Sequence, residues 1–303
     1  MHDIVIIGAG PAGLTAALYA LRANKTVLLI EKASFGGQIT YSPKIENYPG
    51  FEGISGNELA DRFFEQAVSQ GAEFELEEAV KIVDNGNEKT VITDSGAHKA
   101  KAVIIATGAK HRMLGVPHEE EYAGNGISFC AVCDGAFYEG KEVIVVGGGN
   151  SALQEAILLC DSCSKVTVIQ NLSDFTGEKK LVEILKSRGN AEFVFDTVIK
   201  EFKGDGDELK GAVTVNEKTG EEREISFDGA FIAIGLAPDN KAFENIAGLD
   251  GYGYVASGED CLTKTPGVYT AGDCRTKKIR QITTAAADGA VAALAACRYI
   301  DEL

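Results

Sequence analysis

The chain has 303 residues, 45% of them hydrophobic, and 35 glycines, enough for two cores and suited to an α/β protein rich in tight turns. Its net charge of −16 argues against nucleic acid as a partner, and no apolar run approaches the roughly 18 residues needed to cross a bilayer. Seven cysteines, an odd number, and a strand that begins at once without a basic-then-apolar leader point to a cytoplasmic chain with free or redox-active thiols.

The first element is a buried strand, Ile4 to Ile7, in HDIVIIGAGPAGLTAALYALRANKTVLLIEK. It runs into Gly8-x-Gly10-x-x-Gly13, then a helix, then a second strand ending at Glu31. Gly8 makes the tight turn, Gly10 lets a pyrophosphate approach the backbone, and Gly13 lets the helix pack closely on the sheet. The helix N-terminus offers N–H groups and a positive dipole to phosphates. Glu31 is placed to accept from ribose hydroxyls, so the unit is expected to hold a dinucleotide.

Next comes SFCAVCDGAFYEG, with Cys130-x-x-Cys133 followed by Asp134. Thiols at this spacing can close a small disulfide loop at the start of a helix, where the dipole favours a thiolate. Zinc is the rival for such a pair and would need two further ligands nearby. Asp134 is either a helix-start cap or the acid that protonates a departing thiolate, and its place beside the pair favours the acid.

A second glycine turn follows the strand Glu142 to Val146, as Gly147-x-Gly149-x-x-Ala152. Its helix carries Ala152, Ala156 and Leu159 on one face and ends in a second pair, Cys160-x-x-Cys163. That pair reads as incidental helix-end cysteines, as a regulatory disulfide, or as half of a zinc site with the first pair. The next strand, Val166 to Ile169, runs into Gln170, Asn171 and Leu172. An NAD site wants an acid there and an NADP site an arginine; this strand end offers neither.

Taken together, GAGPAG at 8–13, GGQI at 36–39, ENYPG at 46–50, ATGA at 106–109, CAVCDG at 130–135, TAGDC at 270–274 and RQITTAAADG at 280–289 resemble the low-molecular-weight thioredoxin reductases over essentially the whole chain. The resemblance implies an α/β fold of two Rossmann-like domains, the second inserted in the first. Residues 1–114 and 241–303 would form an FAD-binding domain, and residues 115–240 a central redox domain. Gly8, Gly10 and Gly13 would hold the FAD pyrophosphate and Glu31 the adenosine ribose. Gly37, Gln38 and Asn47 would line the flavin side, Asp273 the ribityl chain, and Arg280 and Gln281 the isoalloxazine. Cys133 would take electrons from the flavin, Cys130 would attack the disulfide of thioredoxin, and Asp134 would act as acid. A homodimer is implied, as is a rotation of the central domain that lets the cysteines meet flavin and thioredoxin in turn.

NADPH-dependent members carry a histidine and arginines where this chain has Gln170, Asn171, Leu172 and Thr176. This departure is similar to a branch that takes electrons from reduced ferredoxin, so ferredoxin is the expected donor. Ferredoxins are acidic, and Arg275, Lys277, Lys278 and Arg280 read either as the cations that would meet one or as a plain solvated loop. The alternatives are an NAD(P)H-dependent reductase and a flavin dithiol oxidase that passes electrons to oxygen.

Overall fold

The structure, a computed structural model, describes residues 1–42 and 44–303. They divide into two compact units, each α/β and each built on a strand–glycine turn–helix–strand core. The first comprises Met1–Thr40, Tyr48–Lys110 and Ala237–Leu303, and the second Tyr41–Asn47 and His111–Leu236. The crossings fall a few residues earlier than the sequence suggests. Tyr41–Asn47, read from sequence as part of the first unit, clusters with the second. There Lys44 Nζ lies 5.8 Å from the Phe137 ring centre.

The first unit opens with β1 (His2–Ile7), α1 (Pro11–Arg22) and β2 (Val27–Glu31). Pro11 starts the helix, where a missing N–H costs nothing. α2 (Gly56–Ser69) is capped by Ser55, whose hydroxyl accepts from the Glu58 N–H at 3.1 Å. It leads to β3 (Glu73–Leu76), β4 (Ala79–Asp84), β5 (Lys89–Thr93) and β6 (Ala97–Ile105). The chain leaves through β7 (Ala109–His111).

The second unit then builds α3 (Glu119–Tyr122), β8 (Ile127–Ser128), α4 (Ala131–Asp134), β9 (Glu142–Val146), α5 (Asn150–Cys160), β10 (Lys165–Ile169), α6 (Lys179–Lys186) and β11 (Ala191–Val194). An antiparallel trio, β12 (Thr197–Asp205), β13 (Glu208–Asn216) and β14 (Glu222–Ser226), precedes β15 (Gly229–Ile232). The chain returns through β16 (Leu236–Pro238), which pairs with β7. The first unit closes with α7 (Glu244–Ala247), β17 (Val268–Thr270) and α8 (Ile282–Asp301).

The sheet of the first unit runs β3-β2-β1-β6-β5-β4, with β17 also on β6. Its central strands are covered on both faces and therefore read as unbroken apolar runs. Ile4, Ile6, Val27, Leu29 and Ile104 pack toward α1 and α8, while Val5, Ile7, Leu28, Ile30 and Val103 pack with Ile82, Val91 and Phe243. That alternation is the two-residue period of a strand. α1 and α8 meet through small residues: a Cβ on Gly289 would lie 2.2 Å from the Ala12 carbonyl oxygen. In the second unit β11-β10-β9-β15-β8 form a parallel sheet. Val143 and Val145 face α5, and Ile144 and Val146 face Phe202, Leu209 and Ala212 of the antiparallel trio.

The loop before α8 is held by one buried acid. Asp288, 5% exposed, receives Arg275 Nε and Nη2 at 2.8 Å each, Lys277 Nζ at 2.8 Å and the Gly272 N–H at 3.0 Å. Burial pushes this carboxyl up, but the bonds from Arg275 and Lys277 outweigh that and leave it below its ordinary value. Its stabilising share is therefore present at neutral pH and is lost as pH falls through its folded value. Asp288→Asn removes the carboxylate that Arg275 and Lys277 share, leaving Arg275 only the exposed Glu259 at 3.3 Å, and is expected to cost about 3–5 kcal/mol. Urea unfolding of wild type and variant at neutral pH checks this, and the difference should shrink in acid.

Candidate active site

In the second unit β8 ends the parallel sheet and delivers the chain to α4, a single turn with Cys130 at its N-cap. Cys130 and Cys133 are joined in a disulfide, with Cα atoms 5.3 Å apart. The Cys133 N–H donates to the Cys130 carbonyl at 3.1 Å and to Sγ at 3.2 Å. Val132 between them is 63% exposed, so the loop carries an apolar residue on its outer face. A disulfide occupies both sulfurs, and among the described residues no group of His, Cys, Asp or Glu is placed to hold a metal ion.

Asp134 is buried directly behind the pair. Its Oδ2 accepts from Ser128 Oγ at 2.6 Å, and its Oδ1 is buried without a hydrogen-bond partner. Ser128 Oγ also accepts from the Cys130 N–H at 3.1 Å, which links acid and cysteine through one hydroxyl. Burial raises the Asp134 carboxyl, and the Ser128 bond only partly offsets this. Such a carboxyl keeps its proton to higher pH than an exposed one, which suits a group that must donate to sulfur. Its side chain makes no bond to the helix start, so the capping role is not the one it performs.

Two residues of this site escaped the sequence reading. Ser128 carries no pattern by which it could have been found. Glu155 on α5 has its carboxyl raised by burial to about 7, and its Oε2 is buried without a partner. A signal existed: Glu155 is three residues after the buried Ala152 and four before the buried Leu159, so it borders the helix face turned to the core.

The geometry of the first unit suits FAD, beginning at its glycine turn. Gly8 adopts φ +108°, and a Cβ there would lie 2.3 Å from the Ala106 carbonyl oxygen. A Cβ on Gly13 would lie 1.9 Å from the Gly8 oxygen, so strand, turn and helix meet only through glycine. Gly10 differs, because the nearest atom to its Cβ position, Gly36 O, is 3.9 Å away. That leaves backbone open beside the α1 N-terminus, as a pyrophosphate requires. Glu31 Oε2 accepts from the Ala9 N–H at 3.0 Å and Oε1 from the Ala33 N–H at 3.0 Å, which fixes the carboxylate at the end of β2. Gly37 and Gln38 begin a 3₁₀ turn, Gly37–Tyr41, and Gly37 borders the Gly10 Cα. Asp273 Oδ1 is buried without a partner, an acceptor for which a ribityl hydroxyl is the matching donor. Arg280 stacks on Tyr254, 4.4 Å from the ring centre, and Gln281 caps α8 through its side chain. The residues fit FAD. Asn47 lies in the Tyr41–Asn47 segment that groups with the second unit.

The second glycine turn is covered by its own chain. Gln170 is 5% exposed, and its side chain fills the space over Gly148, where a Cβ would be 2.2 Å from Nε2. The Gly148 carbonyl accepts from the Thr176 and Gly177 N–H groups at 2.9 and 3.1 Å and from Thr176 Oγ1 at 3.2 Å. Glu178 and Asn150 bond reciprocally at the start of α5, at 3.1 and 2.7 Å. An acid therefore stands near the helix end that would face a phosphate.

The basic cluster expected near the first cradle is a correction to the sequence reading. Arg275 is 1% exposed, the Lys277 side chain is 5% exposed, and both pair with the single carboxylate of Asp288. Only Lys278 is exposed, with Arg280 half-buried on Tyr254. Cys160 and Cys163 are core residues: both are buried free thiols, and burial raises both, Cys160 to about 11. Thiolate is scarce at such sites, which disfavours a regulatory disulfide.

In FAD-stripped protein, burial pushes the Asp273 carboxyl up to about 6 from an ordinary value of 3.8. A raised carboxyl stabilises the fold below its unfolded value and loses that share as pH rises through its folded value. Asp273→Asn should therefore gain stability relative to wild type as pH rises from 3.8 to 6, followed by unfolding midpoints across that window.

The family model for pyridine nucleotide-disulphide oxidoreductases matches residues 2–289. The chain is 43% identical over 303 residues to a thioredoxin reductase of Listeria monocytogenes, covering 100% of this chain and 95% of the relative. To a thioredoxin reductase of Bacillus subtilis it is 42% identical, covering 100% and 96%. The crystal structure of thioredoxin reductase from Streptococcus pyogenes superposes with a TM-score of 0.95 at 41% identity, covering 100% of this chain and 99% of that one. With the cysteine loop in one Rossmann-like unit and an FAD cradle in the other, the chain belongs to the pyridine nucleotide-disulphide oxidoreductase family, as a flavoprotein disulfide oxidoreductase of the low-molecular-weight thioredoxin reductase type.

Proposed function

We propose that the chain reduces the disulfide of thioredoxin through Cys130 and Cys133, with electrons from reduced ferredoxin in place of NADPH, acting as a homodimer. FAD, when bound, takes up two electrons and passes them to a disulfide. Gly8, Gly10, Gly13 and Glu31 hold its pyrophosphate and ribose, Asp273 its ribityl hydroxyls, and Gly37, Gln38, Asn47, Arg280 and Gln281 its flavin end. Cys133 is the sulfur that receives the electrons. The Cys130 thiolate attacks the thioredoxin disulfide to give a mixed disulfide, Cys133 displaces the reduced thioredoxin, and the Cys130–Cys133 bond re-forms. Asp134, buried and inclined to hold its proton, protonates the departing thiolate and is reset through Ser128 and solvent.

The donor assignment is carried by the covered second turn. Gln170 occupies the strand end where a ribose-binding acid would stand, and no arginine replaces it. Each missing charge-assisted contact to a 2′-phosphate is worth about 1.5–3 kcal/mol, so several together weaken NADPH by orders of magnitude. Loss of Arg275 and Lys277 from the surface leaves electrostatic steering of an acidic donor to Lys278 and Arg280. A second reading, an NAD(P)H-dependent reductase, is favoured by the family match itself, whose members are named for pyridine nucleotides.

Anaerobic absorbance of the FAD-bound protein separates the two readings. With thioredoxin present, excess NADPH and then NADH should leave the flavin oxidised, while photochemically reduced ferredoxin should drive thioredoxin reduction. Flavin bleaching by NADPH within seconds would overturn the donor assignment and make the second turn a working site. Peroxide formed from a dithiol substrate in air would instead indicate the oxidase.

For the acid, Asp134→Asn should lower turnover of thioredoxin by about 10²–10⁴ while FAD content stays unchanged. Turnover within a few-fold of wild type would remove Asp134 from the proton path.

A further inference from the structure

The turn that carries Asp273 is gripped from both sides by one residue of the following helix. Asp273 sits in a 3₁₀ turn, Gly272–Cys274, and its Oδ1 is buried without a partner. Directly before it, the Gly272 N–H donates to Asp288 Oδ2 at 3.0 Å. Two residues after it, Arg275 donates from Nε to Oδ2 and from Nη2 to Oδ1, at 2.8 Å each. Asp288 therefore clasps the turn on either side of Asp273. Arg275 and Asp288 are 1% and 5% exposed, so these charge-assisted bonds are made away from water, where they are strong. The clasp also stands where the turn and α8 meet α1. A Cβ on Gly272 would lie 2.8 Å from the Ala12 Cβ, and one on Gly289, next to Asp288, 2.2 Å from the Ala12 oxygen. Ala12 is in the first turn of α1, the helix whose N-terminus suits the FAD pyrophosphate.

We propose that Asp288 is a positioning residue for FAD: it acts through Asp273, holding that carboxyl in register with the start of α1. An ion pair that served the fold alone would leave FAD retention to the residues that touch the cofactor. Here the bonds of Asp288 run to the peptide N–H before Asp273 and to the side chain two residues after it. Their loss frees the turn between them, and Asp273 with it. Lys277 Nζ shares Asp288 Oδ2 at 2.8 Å, which adds a third tie just beyond the turn. The unpaired Asp273 acceptor is thus kept in place before any hydroxyl arrives, and binding need not bear the cost of ordering it. The inference rests on the assignment of Asp273 to FAD, and is independent of the electron donor and of the protein substrate.

The test is a double-mutant cycle read as FAD release from the full-length, FAD-bound protein. Wild type, Asp273→Ala, Asp288→Asn and the double variant are diluted at neutral pH without denaturant, and free FAD is followed in ultrafiltrates over time. Asp273→Ala should release FAD at least about tenfold faster, the worth of one charge-assisted hydrogen bond. Asp288→Asn should also speed release about tenfold, although it leaves every residue assigned to FAD in the sequence. The double variant should stay within about twofold of Asp273→Ala, because Asp288 then has nothing left to position. A double variant that releases FAD about a hundredfold faster than wild type makes the two effects independent and overturns the proposal. Release from Asp288→Asn at the wild-type rate overturns it as well, while leaving the Asp273 assignment intact. Release from Asp273→Ala at the wild-type rate sinks that assignment and the inference with it. Should Asp288→Asn fail to fold, Arg275→Lys, which keeps the charge but loses the two-point contact, takes its place in the cycle under the same criteria.

Discussion

Both units depend on a backbone contact that only glycine permits. The Ala106 carbonyl oxygen occupies the space of a Gly8 Cβ, and the Ala233 oxygen stands 2.5 Å from where a Gly147 Cβ would be. Each contact draws the end of a parallel strand against its glycine turn, so the following helix starts on top of the sheet. The same mechanical unit has two outcomes here. In the first unit the turn leaves the Gly10 backbone open and Asp273 with an unpaired acceptor, features that suit a ligand with phosphate and hydroxyl groups. In the second, Gln170, Thr176 and Glu178 cover the turn, and the helix serves to pack and position the cysteine loop.

Buried carboxyls divide by partner. Asp288 is surrounded by donors and two cations, so it is ionised and ties a loop to a helix. Asp134, Glu155 and Asp273 each keep one buried oxygen without a protein partner, and burial raises all three. Unpaired acids destabilise a fold and persist where a ligand or a proton completes them. Asp273 lies in the turn after β17, Asp134 directly follows Cys133, and Glu155 lies on α5, against which α4 packs.

The sequence carried the fold class because parallel strands covered on both faces are unbroken apolar runs and glycine turns have fixed spacing. It carried Cys130, Cys133 and Asp134 because they are contiguous, and it exposed the second strand end because Gln170-Asn171-Leu172 is visible as plain text. Local pattern served less well where charges were concerned. Four cations in CRTKKIRQ suggested a surface patch, yet Arg275 and Lys277 turn inward to Asp288, which joins them from the next helix.

By itself, then, the sequence determined what local order can specify: two strand–turn–helix units, one redox loop, and the loss of ribose and phosphate grips from the second turn. Tertiary structure decided which acids lose solvent and which find partners. Arg275 meets Asp288 of the following helix because helices pack on sheets in three dimensions. Desolvation and pairing depend on that packing, and they separate a carboxylate that binds the fold together from one that can carry a proton.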